Sequence, residues 1–173
     1  MPSLTREELL AAATAFCESF ARKKPLEEIL SHFSPDEMVV VHEHGLPRLA
    51  PFLGRDFRGL EGARRYFETV RGCLSYEDMR FVEFVADTFT PLGSDGGDPG
   101  DGGGVGVGGA GGEGGGGGKV AVRGRARFTW TETGLSWDET FAYLLRFDAR
   151  AKLARYEVWA DSGAAYLARR GEL

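Results

Sequence analysis

Residues 119–161 read KVAVRGRARFTWTETGLSWDETFAYLLRFDARAKLARYEVWAD. A strand turns successive side chains to opposite faces, so alternation of apolar and polar residues marks a sheet with one covered side. Val120, Val122, Gly124, Ala126, Phe128 and Trp130 fall on one face of the first segment, and Arg123, Arg125, Arg127 and Thr129 on the other. Thr133-Gly134 turns the chain, after which Trp137, Glu139, Phe141, Tyr143, Leu145 and Phe147 share a face. A second turn at 148–151 leads into a strand over 152–161. Three strands in hairpin succession make an antiparallel meander.

Upstream, YEDMRFVEFVAD at 76–87 alternates well enough for one more strand, and MVVVHEH at 38–44 is a short β-branched run stopped by Gly45 and Pro47. The remaining apolar patterns are helical. Thr5 and Glu8 form a capping box ahead of Leu9, Ala13, Phe16 and Phe20. Pro25 opens a second helix carrying Ile29, Leu30 and Phe33, and Leu60, Ala63, Phe67, Val70 and Leu74 mark a third. Residues 45–59 read as a loop. Asp161 heads a short terminal helix. Early helices and late strands predict an α+β fold in which a curved, mostly antiparallel sheet wraps around the N-terminal helices.

Length fits one domain over residues 1–173. Residues 93–118 interrupt it, holding 17 of the 26 glycines and four acids, with no base. The GxGxxG match at 104–109 is empty, because a dinucleotide fingerprint needs a strand before it and a helix after it, and here more glycine follows. A disordered hairpin insertion is the expectation. Outside it, 21 bases face 22 acids, so nothing supplies the basic face that a nucleic acid or an anionic membrane requires. Two cysteines without a paired framework, and no secretory or membrane-spanning pattern, point to a reducing, cytoplasmic setting.

Three carboxylates stand out for chemistry. Glu43 shares strand parity with Val39 and Val41, while His42 and His44 share the other face with Val40; one of these sets points inward. A buried Glu has a raised pKa suited to general-base work near neutrality. Glu139 shares the face of Trp137, Phe141 and Tyr143 but lies near a hairpin end, which favours exposure. Asp161 precedes Ser162-Gly163, where capping a helix is its obvious role. His42 and His44 have the spacing of two metal ligands, but His32 is the only other histidine, so no metal site is expected. Alternation places Arg123, Arg125 and Arg127 outward, with Asp138 and Glu157 near enough to pair.

With HFSPDEMVVVHEHG (32–45), FRGLEGARRYFETV (57–70), KVAVRGRARFTW, SWDETFAYLLRFD (136–148) and AKLARYEVWADSGAAYL (151–167), the chain resembles the NTF2-like superfamily, and its SnoaL-like group in particular. The resemblance covers nearly everything outside the glycine tract. It implies a cone-like sheet with an apolar pocket for a hydrophobic small molecule, a homodimer built on the outer sheet face, and no cofactor. The jobs of such pockets include isomerisation, polyketide cyclisation, dehydration, epoxide hydrolysis and plain ligand binding or scaffolding. It implies Glu43 or His42 as a base, Tyr143 as an electrophilic donor, Asp161 or His44 as a second acid or orienting group, and Phe16, Phe67, Phe141, Trp159 and Glu139 along the pocket. Two departures narrow the field. Phe16 and Cys17 stand where isomerase-like members carry a helix-1 tyrosine, and Val158 stands where epoxide-hydrolase-like members carry a catalytic Asp. The expectation is therefore acid–base isomerisation, cyclisation or dehydration of a carbonyl-bearing polyketide- or terpenoid-like compound, against the alternative of a non-catalytic ligand-binding or dimeric scaffold protein.

Overall fold

A computed structural model describes residues 4–88 and 117–173. Its six strands are β1 (Val40–Glu43), β2 (Asp56–Arg58), β3 (Leu74–Asp87), β4 (Gly118–Trp130), β5 (Ser136–Phe147) and β6 (Leu153–Trp159). They form one open, curved sheet in the order β2-β1-β6-β5-β4-β3, antiparallel except for β1 beside β6. The expected meander is present. The register pairs Val122 with Tyr143 and Tyr143 with Val158, which lines up one inward row across three strands.

Four helices accompany the sheet: α1 (Arg6–Ala21), α2 (Leu26–Leu30), α3 (Gly59–Cys73) and α4 (Ser162–Arg170). Thr5 and Glu8 close the capping box that starts α1, and Leu9, Ala13, Phe16, Cys17 and Phe20 on that helix are buried. Phe16 is fully enclosed, meeting Phe20, Phe33 and Tyr156 edge-on with ring centroids 5.0, 5.7 and 5.2 Å away. Such edge contacts add to the burial of the rings.

The structure departs from the sequence reading at several element boundaries. Residues 56–58, expected as loop, form the edge strand β2, because His42 finds a backbone and side-chain partner in Asp56. Helix α2 stops at Leu30, and Phe33 instead bridges Leu153 of β6. Helix α3 ends at Cys73, so Leu74 opens β3. Leu60 is exposed, since the buried face of α3 runs through Gly62, Ala63, Tyr66 and Phe67. The expected insertion at 93–118 lies outside the described residues except for Gly117 and Gly118, and Gly118 belongs to β4. A Cβ there would stand 2.3 Å from Leu9 and 2.9 Å from the Asp87 carbonyl oxygen, so glycine is what lets α1 close over the start of the strand. Asp87 pairs with Lys119, and the intervening chain therefore joins adjacent antiparallel strands.

Gly62 marks where α3 approaches the backbone of β2. A Cβ there would sit 2.7 Å from the Phe57 carbonyl carbon. Ala is ordinarily the better helix former by about 1 kcal/mol. Gly62→Ala is nevertheless expected to destabilise the protein by about 1–3 kcal/mol, the usual range for overpacking, as read by urea denaturation.

Candidate functional site

Strand parity and helix spacing bring a set of polar groups into an aromatic cavity between the inner sheet face and helices α1, α3 and α4. The cavity encloses about 90 Å³, room for several water molecules. Phe20, Phe67, Phe128, Phe141 and Tyr76 are among its walls.

Glu43, the last residue of β1, follows Val39 and Val41 inward and is 7% exposed. Its Oε2 accepts a hydrogen bond of 2.6 Å from the hydroxyl of Tyr66 on α3. Burial drives its pKa up to about 7; the Tyr66 bond pulls the other way, and the nearby Glu139 charge adds to the rise. Tyr66, Tyr156 of β6 and Tyr143 of β5 follow one another along the wall. Tyr143 and Tyr156 meet edge-on with centroids 4.9 Å apart, and Tyr66 and Tyr156 do so at 6.1 Å. Burial pushes all three phenols well above the usual tyrosine range, so each keeps its proton; Tyr66 gives its one donor to Glu43, and Tyr143 and Tyr156 carry the other two.

Glu139 is buried, contrary to the expectation of exposure at a hairpin end. Helix α4 folds back over that end of β5, and Ala165, Ser162 and Asp161 line the same cavity. Trp137 Nε1 donates to Glu139 Oε2 at 2.5 Å. The other oxygen, Oε1, is buried and meets no hydrogen-bond partner, although the Asp161 backbone N–H is near enough to the carboxyl to hold its pKa down. Burial raises the Glu139 pKa, against the pull of the Trp137 bond. Asp161 caps α4 through a 2.9 Å bond from the Ala164 N–H and also reaches the cavity wall.

Four expected site residues stand elsewhere. His42 and His44 lie on the outer sheet face, where parity sends them once Glu43 turns inward. His42 pairs with Asp56 at 2.8 Å and His44 with Glu157 at 3.2 Å. Trp159, also outward on β6, is 43% exposed and stacks on His44 with centroids 4.1 Å apart. Phe16 sits in the core behind the cavity wall. On the same outer face Arg127 pairs with Asp138 and Arg123 with Glu83, while Glu157 goes to Arg155 rather than to the arginine row. Cys17 is buried, which pushes its thiol up and leaves it protonated.

The sequence reading missed Tyr66 and Tyr156. Tyr66 occupies the 62/63/66/67 stripe of α3, and a tyrosine on a buried stripe must find a partner for its hydroxyl, a signal that was present. Tyr156 is less visible, because β6 is buried on both faces along most of its length and alternation fails there.

No family model matches the chain, and no curated protein matches it. Solved structures do. A candidate isomerase from Rhodopseudomonas palustris superposes with a TM-score of 0.61 at 14% identity, covering 97% of this chain and 99% of that one. An NTF2-like protein from Burkholderia xenovorans gives 0.60 at 15% identity, with 96% and 98% covered. A steroid delta-isomerase from Pseudomonas aeruginosa gives 0.54 at 15% identity, with 98% and 95% covered. Helix order, the curved open sheet and coverage of nearly the whole of each chain agree, and the protein has the NTF2-like fold.

Proposed function

We propose that the protein is a cofactor-independent acid–base catalyst, an isomerase, cyclase or dehydratase, acting on a hydrophobic compound that carries a carbonyl group. The observation that supports this most is Glu43: a buried carboxyl with a pKa of about 7, held by Tyr66 at 2.6 Å, in a cavity it shares with the protonated phenol of Tyr143. Two of the three similar structures carry isomerase names, one of them a steroid delta-isomerase. In this reading Glu43 as carboxylate takes a proton from the carbon next to the carbonyl. The charge moves to the carbonyl oxygen, where Tyr143 donates a hydrogen bond. Glu43 then returns the proton at a different carbon, which is isomerisation, or the enol attacks or expels a group within the same molecule. Tyr66 and Tyr156 position the base and the donor.

Proton abstraction is testable before the product is known. Hydrophobic ketones incubated with the protein in deuterated water are expected to gain deuterium beside the carbonyl, followed by mass spectrometry. A panel that shows no exchange above the buffer rate defeats the reading.

We also propose that the protein is a homodimer through its outer sheet face, where Trp159 and Val85 are exposed. Sedimentation equilibrium is expected to give twice the chain mass, and Trp159→Glu to shift the protein to monomer. A monomer at all concentrations refutes it.

A further inference from the structure

The β5–α4 end of the cavity carries features that the acid–base reaction does not use. Glu139 is 8% exposed, and one of its carboxyl oxygens has no hydrogen-bond partner although it is buried. A buried acceptor left unpaired is costly, and such an atom on a cavity wall is relieved when a ligand brings a donor. Beside it, the Trp137 indole stacks with Phe128 at a centroid distance of 5.9 Å, and both rings line the cavity. Aromatic faces next to a carboxylate attract cations. The ionisable groups on the wall agree: Glu43, Glu139 and Asp161 are acids, a nearby cation favours their charged forms, and Arg71, exposed at the edge, is the one base among the lining residues. The cavity is thus biased against anions.

We infer that the end of the cavity formed by Trp137, Glu139 and Asp161 is a subsite for the protonated amine of a hydrophobic ligand. An ammonium group brings three donors and a full charge, one donor for Glu139 Oε1 and the rest toward Asp161 at the mouth. The apolar body of the ligand then lies along Phe128 and Phe141 toward Tyr143. This subsite requires that the cavity admit ligands, but it does not require that the protein turn them over.

The experiment titrates 2-phenylethylamine, 2-phenylethanol and phenylacetate into the full chain by calorimetry at neutral pH. The three share a body and differ in head group. The amine is expected to bind about tenfold more tightly than the alcohol, with phenylacetate weakest. Glu139→Gln is expected to bring the amine to within about twofold of the alcohol while the alcohol's own affinity holds. Should that variant fail to fold, Asp161→Asn, which keeps the acceptor that caps α4, is expected to reduce the amine's advantage. The inference is overturned if the alcohol equals the amine, if the advantage survives in both variants, if Glu43→Gln rather than Glu139→Gln abolishes it, or if no probe binds. Deuterium exchange lost while amine selectivity persists strikes the acid–base reading and leaves this one standing.

Discussion

Glu43→Gln is expected to lower the rate of proton abstraction by about 10²–10⁴-fold, the range a general base contributes. Gln fills the same space and still accepts the Tyr66 hydroxyl, so the loss reports chemistry rather than collapse. In the unmodified protein the rate is expected to rise with pH and level off above about 7, because only the carboxylate takes the proton. The same group leaves a mark on stability, of opposite sense. A carboxyl whose pKa is raised on folding holds its proton longer in the folded state, so folding becomes less favourable as pH climbs from the unfolded value of 4.5 to about 7. The shift corresponds to about 3 kcal/mol above that window. Glu43→Gln is accordingly expected to be more stable than the parent at pH 8 by up to about 3 kcal/mol and no more stable at pH 4, as read by urea denaturation at the two pH values. A variant that is inactive and equally destabilised at both would mean that Glu43 is structural.

Tyr143→Phe is expected to lower kcat by about 10²–10³-fold with little change in KM, the effect of deleting a donor that acts on developing negative charge. The ring and its contacts with Phe141 and Tyr156 remain, so thermal stability should move little. Tyr156→Phe supplies the contrast. Its hydroxyl lies next to that of Tyr143 rather than in the role of direct donor, and a loss larger than that of Tyr143→Phe would transfer the donor role to it.

The meander could be read from residues alone because β4 and β5 are covered on one side and wet on the other, and period-two patterning survives wherever that holds. Glu43 could be narrowed only to one of two faces. Val39, Val40 and Val41 are apolar on both parities, and what selects the inward set is β6, whose Tyr156 and Val158 lie opposite Val41 and Glu43. Glu139 and Trp159 depend on context that strand patterning does not carry. Whether Glu139 is wet depends on what folds over that strand end, where Asp161, Ser162 and Ala165 line the same cavity, while Trp159 follows the inward Val158 and therefore faces outward, where His44 stacks on it. Strand β2 is three residues long, too short for any periodicity to register.

The parallel pairing of β1 with β6 sets the order in which the molecule can be assembled. Val40 lies beside Arg155, more than a hundred residues later in the chain. The strand that bears Glu43 is held by β2, by α3 through the Tyr66 hydroxyl, and by β6, and of these only β6 lies far along the chain. Contacts of such wide sequence separation close slowly. The surroundings that raise the Glu43 pKa, Tyr156 and Val158 of β6 among them, are complete only once that pairing has closed, so the proton affinity of the base is a property of the finished fold.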